Sequence, residues 1–177
     1  MKFRMQLGAG ALIAVLGAGA MPAVLSAQES SNRVAVQTDW SVFEGNDPKE
    51  CWSVSAPKET VNTKDGQPAQ VRRGEILLFV TFRPGSAGEV SFSGGYPFAP
   101  GSTVAMAVGA TTFDLFVDGE FAWSGSAEDD AKIITAMKGG AEAVLTGRSA
   151  RGTQTQDTFS LSGISASLDE AARRCPG

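Results

Sequence analysis

The sequence contains no histidine, and that absence removes whole classes of chemistry before any motif is sought. Without an imidazole there is no Ser-His-Asp or Cys-His nucleophile and no histidine ligand for a metal, so zinc enzymes go with them. Cysteine is nearly absent too, with Cys51 and Cys175 the only two in 177 residues. An excess of positive charge is also missing: 15 Lys and Arg stand against 19 Asp and Glu, a formal charge of −4. An acidic chain is repelled by phosphate backbones and anionic lipid, so neither nucleic acid nor a membrane surface is an expected partner. No tandem repeat or low-complexity stretch is present.

Long apolar runs are confined to the beginning. Lys2 and Arg4 precede an uncharged stretch from Leu7 to Ala20, Pro22 breaks it, and the small residues Ser26 and Ala27 follow. Charge, apolar core and small residues in that order read as a signal peptide over 1–27, cleaved after Ser26 or Ala27. About 14 apolar residues fall short of the roughly 20 that cross a bilayer, so no stable membrane insertion is expected after cleavage. The polar stretch 28–33 is expected to be disordered, and 34–177 to form one domain. Removal of Lys2 and Arg4 takes the formal charge to −6. The expected location is periplasmic or secreted, where two cysteines read as a Cys51–Cys175 disulfide. In the loop-entropy model, closing so long a loop stabilises by roughly 5 kcal/mol.

Alternation predicts short strands. Trp40 and Val42 face one way, and the segment 44–48 reads as a loop. A strand over 51–55 carries Trp52, which with Trp40 is taken as a core anchor; Asp65-Gly66 centres a turn. Residues 75–82 are apolar on both faces, as in a central strand, and Val90 and Phe92 point inward in the next. Val104, Met106 and Val108, then Phe113, Leu115 and Val117, then 120–123, make a three-stranded meander around Gly109-Ala110 and Asp118-Gly119. Ser126 caps a helix with Ala127, Ile134 and Met137 on its buried side, and Gly139 closes it. Strands over 142–148 and 155–161 follow. Ser167 and Glu170 have capping-box spacing before a last helix, where Leu168, Ala171, Ala172 and Cys175 share a face; Asp169 with Arg173 and Glu170 with Arg174 are spaced to pair. Eight or nine strands with two short helices describe a mainly β fold, either a sandwich or a closed barrel, and the sandwich is the expected architecture.

No catalytic constellation emerges, and no metal or cofactor is expected. Ser55-Ala56-Pro57-Lys58 matches S-x-x-K, but that motif acts from a helix start and Pro57 follows a strand. Asp118 with Glu120 and Glu128-Asp129-Asp130 are carboxylate groups that a hairpin turn and a helix N-terminus explain. Arg72, Arg73, Arg148 and Arg151 are the basic concentrations and candidate contacts for an anionic partner. Tyr96 and Phe98, in the loop Gly94-Gly95-Tyr96-Pro97-Phe98, are the candidate partner surface.

An early Trp, Cys51-Trp52-Ser53-Val54-Ser55, the Gly94-Gly95-Tyr96-Pro97-Phe98 loop, Thr112-Phe113-Asp114-Leu115-Phe116 and the ending 157–163 to Cys175 resemble the invasion-associated locus B family. The resemblance covers nearly the whole chain after the signal peptide. It rests on order and spacing, with Ile164 where the family ending has Phe. It implies an alphaproteobacterial exported immunoglobulin-like β-sandwich, a non-catalytic module that binds an envelope or host protein or a surface ligand. The alternative from another class is a small envelope hydrolase using carboxylates alone.

Overall fold

The computed structural model describes residues 32–176, so the expected signal peptide and residues 28–31 lie outside it. In chain order the elements are β1 (Arg33–Gln37), β2 (Trp40–Asn46), β3 (Lys49–Ser55), β4 (Glu59–Lys64), β5 (Gln67–Pro68), β6 (Leu77–Arg83), β7 (Ser86–Ser93), β8 (Thr103–Val108), β9 (Thr111–Asp118), β10 (Phe121–Trp123), α1 (Ala127–Gly139), β11 (Glu142–Arg148), β12 (Gln154–Ser160) and α2 (Ile164–Arg174). This is the expected mainly β fold with two helices, the second near the C-terminus. All twelve strands join one antiparallel series in the order β1-β2-β3-β6-β7-β10-β9-β8-β11-β12-β4-β5.

The layers are therefore two parts of one sheet rather than two separately bonded sheets. Three-residue β10 pairs with β7 on one edge and β9 on the other, bridging the parts, and the chain passes from β3 to β4 across the short link Ala56–Lys58. The two parts also meet where β2 begins and β12 ends: Trp40 Nε1 donates to the Ser160 carbonyl at 3.0 Å, and the Asp39 amide to the Ser162 carbonyl at 3.3 Å. One apolar cluster fills the enclosed space, with Trp40, Leu78, Phe92, Met106, Leu115, Leu145 and Phe159 fully buried. Across it the Phe92 and Phe159 rings meet edge to face at 6.0 Å.

Several local expectations hold. The meander β8-β9-β10 forms, β6 is flanked on both sides, and Ser126 Oγ accepts the Asp129 amide at the start of α1. Asp65 and Gly66 both have positive φ, as a two-residue hairpin turn of the I′ kind requires. Cys51 and Cys175 form the disulfide, both fully buried, with Cα atoms 5.9 Å apart.

Others are corrected. β2 and β3 run to Asn46 and from Lys49, so the expected loop 44–48 shrinks to the turn Asp47-Pro48. Trp52 is no core anchor: Cys51, Ser53 and Ser55 take the inward phase of β3, and Trp52 turns outward, its ring close over Gly45. In α1 the buried stripe is Asp130, Ile133 and Met137, while Ala127 is exposed and Ile134 half-buried. The capping box at Ser167 does not form, because α2 starts three residues earlier. Ile164 is drawn into the core there, and Gly163 at φ 89° precedes it so close to β1 that a Cβ would lie 2.0 Å from the Gln37 carbonyl. Ser167 is fully buried inside the helix, its hydroxyl 2.5 Å from that of Ser53. Of the two expected pairs on α2, Glu170 with Arg174 forms, whereas Asp169 pairs with Lys138 of α1 and Arg173 joins Glu170 instead.

Candidate functional site

Four of the six residues nominated for partner or anion contact converge on one cleft of about 420 Å³. It is lined by 70–73 of the irregular segment after β5, by 95–97, by Glu120 in the β9–β10 turn, and by 149–155 around the β11–β12 turn. Arg72, Arg73, Tyr96 and Arg151 line it. Phe98 and Arg148 do not.

Arg73 forms the floor and is not available to an outside anion. Its guanidinium meets the Asp157 carboxylate through two parallel bonds of 2.7 and 2.6 Å, with the arginine side chain 6% exposed and the aspartate 0%. Nε and Nη2 also donate to the Gly94 carbonyl at 2.9 and 2.8 Å, and Nη1 to Asn62 Oδ1 at 3.3 Å. Five donated bonds exhaust the five N–H groups of a guanidinium, so a further acceptor finds no donor. Burial of both charges is tolerated because the geometry is bidentate and the remaining donors are satisfied.

Tyr96 stands over this pair. The Arg73 guanidinium carbon lies 5.0 Å from its ring centroid, and its hydroxyl is 2.6 Å from Thr155 Oγ1. Burial pushes the phenol above its ordinary pKa, with the Asp157 charge adding a little, while the Thr155 hydrogen bond and the Arg73 charge pull the other way.

Phe98 is no surface residue. It is 4% exposed, packs edge-on against Tyr96 at 4.8 Å and lies 6.1 Å from Phe92. Two glycines make the room: a Cβ at Gly94 would lie 2.5 Å from its ring and one at Gly147 would lie 2.8 Å away. The nominated aromatic loop thus covers the end of the core, leaving one edge of Tyr96 toward the cleft.

The rim differs. Arg72 and Arg151 are exposed and have no ionic partner among the described residues, as is also true of Arg148. Glu120 is the one carboxylate in the lining, and Ser149, Thr153 and Thr155 add hydroxyl groups.

The other sequence candidates take structural places. Ser55 Oγ donates to the Asp39 carbonyl at 2.8 Å, and Lys58 pairs with the Asp39 carboxylate at 2.5 Å, so S-x-x-K forms no nucleophile pair. Glu128 pairs with Lys132, Asp129 accepts from Ser126, and Asp130 turns inward to accept from the Val90 amide at 2.7 Å and Ser124 Oγ at 2.6 Å. Among the described residues no cluster of three or more Cys, Asp or Glu is placed to hold a metal ion.

No protein-family model and no curated protein sequence matches this chain. Among solved structures, the crystal structure of invasion associated protein B from Bartonella henselae is similar, with a TM-score of 0.56 over 78% of this chain and 95% of that one. The two share 15% sequence identity, so the likeness is one of fold.

Proposed function

We propose that the protein is an exported, non-catalytic binding module of the bacterial envelope, related to invasion-associated locus B proteins, and that its ligand sits in the Tyr96 cleft. The observation that carries this reading is the division between a floor locked by its own bonds and a rim that presents Arg72 and Arg151 unpaired. A rigid floor costs little ordering on binding, and free cations at its edge suit a ligand with an anionic group. Hydrolysis by carboxylates draws little support here: Glu120 stands alone in the lining, and Asp157 beneath it is held by Arg73. The signal-peptide pattern supports export.

A photo-reactive amino acid at Ala150, introduced in living cells, tests the reading. An adduct is expected in the envelope fraction, lost when Arg72→Ala and Arg151→Ala are combined. Surface changes of this kind leave stability within about 0.5 kcal/mol, so the melting curve of the double variant should match the parent. An adduct that persists in the double variant, or a mature chain retaining Met1 in that fraction, would count against the proposal.

A further inference from the structure

Alternation gives β3, β6, β7, β9 and β10 two faces, and the helices pack on the inward one. Cys51 and Ser53 of β3 meet Cys175 and Ser167, and α1 lies on β7 through Asp130 and Val90. On the opposite face the register aligns Val54, Phe79, Ser91, Trp123 and Phe116 in one row across β3-β6-β7-β10-β9. Phe121 stands in the next row, opposite Asp118. Phe116 is 58% and Phe121 40% exposed; the Phe121 and Trp123 rings lie 24° from parallel with centroids 5.6 Å apart. Two exposed phenylalanines beside a half-buried Trp123 make an aromatic patch that is unusual on a chain that stays alone.

The charges around them define the occupant. Asp114 and Asp118 share the Phe116 side of β9, are exposed, and have no ionic partner among the described residues. Arg83, on this face of β6, is already paired with Glu50 at 2.6 Å and Glu89 at 3.3 Å, and the unpaired Arg148 stands two strands beyond β9, on β11. Aromatic faces carry negative quadrupole charge, and two free carboxylates reinforce it, so the complementary group is a cation. A guanidinium fits best, being planar, weakly hydrated and able to stack and pair together. The cluster spans two strands about 5 Å apart and two or three residues along each. That footprint suits a short segment and falls well below the roughly 800 Å² per partner of a stable globular interface, so a second copy of this chain is disfavoured.

We propose that the outward face of β9 and β10 binds an arginine-bearing segment of a partner protein, its guanidinium laid on Phe116 and Trp123 and paired with Asp114 or Asp118. The inference stands apart from the cleft, and the test separates them. The protein is titrated with a fluorescein-labelled peptide of alternating glycine and arginine, beside the same peptide with citrulline for arginine. Saturable binding is expected for the arginine peptide alone. It should weaken roughly tenfold in Trp123→Ser and in the double variant Asp114→Asn, Asp118→Asn. Phe116→Leu, which keeps apolar bulk and removes the ring, should also weaken it without disturbing the fold, whereas Arg72→Ala with Arg151→Ala should not weaken it. Absence of saturable binding, equal affinity for the citrulline peptide, undiminished affinity in Phe116→Leu, or saturation by a neutral oligosaccharide in place of the peptide would each overturn the proposal.

Discussion

Arg72 and Arg73 are adjacent in the sequence and belong to opposite regions of the cleft. Arg73 lies under Tyr96 with every N–H group donated, while Arg72 stands on the rim with no ionic partner among the described residues. Net charge cannot tell them apart, because the difference lies in what each side chain would leave behind if removed. Without Arg73, the Asp157 carboxylate and the Gly94 carbonyl remain in a dry interior; without Arg72, water fills the space.

The largest expected effect follows from that contrast. Arg73→Ala or Asp157→Ala should destabilise the fold by about 3–5 kcal/mol, the cost of leaving one buried charge without its partner. Arg72→Ala should stay within about 0.5 kcal/mol. Urea titration of the three variants measures both halves, and similar midpoints for Arg72→Ala and Arg73→Ala would abolish the distinction between floor and rim. Replacing both members as Arg73→Met with Asp157→Leu should recover much of the loss, since the penalty belongs to the unpaired charge rather than to the missing pair.

The disulfide is a second lock, placed elsewhere, and cutting it sharpens the comparison. Cys51→Ser with Cys175→Ser should cost roughly 2–5 kcal/mol. α2 docks on β1, β2, β3 and β6, while Asp157 and Thr155 belong to β12, so loss of protection from hydrogen exchange should begin in α2 and reach the cleft floor last. Simultaneous loss at both places would show one cooperative lock instead of two.

The strands, the first helix cap, the meander and the cysteine pair were legible because their signals are local or depend on a count. The site was half legible. The pattern nominates Arg72, Arg73, Tyr96 and Arg151, but it offers Arg73 to an outside anion because its own partner is 84 residues away. The missed signal lay in phase: Asp157 falls in step with inward Thr155 and Phe159 along β12, and a carboxylate in that step needs a cation. Asp130 is in step with Ile133 and Met137 in the same way, and Ser167 with Ala171, which is why one is no free helix-end charge and the other no cap. Phe98 offered a weaker sign, since one of the two glycines that admit its ring, Gly147, lies far along the chain on β11.

The smallest expected effect tests whether Tyr96 belongs to the floor or to the rim. Tyr96→Phe removes the bond to Thr155 and leaves the ring over Arg73, so a loss of about 1 kcal/mol at neutral pH is expected. The pH dependence is more telling. Burial raises the phenol pKa in the folded protein, so the folded state holds that proton more tightly than the unfolded chain does. The corresponding stability is fully present below the unfolded tyrosine value, about 10, and is lost as pH rises through the higher folded value. Tyr96 is the sequence's single tyrosine, so its ionisation can be followed by ultraviolet absorbance beside a denaturation series between neutral and alkaline pH. The parent should lose stability faster than Tyr96→Phe above about pH 10, and its phenol should titrate above the ordinary range. A phenol that titrates at the ordinary value, with parallel stability curves for parent and variant, would place Tyr96 with Arg72 on the wet side of the cleft.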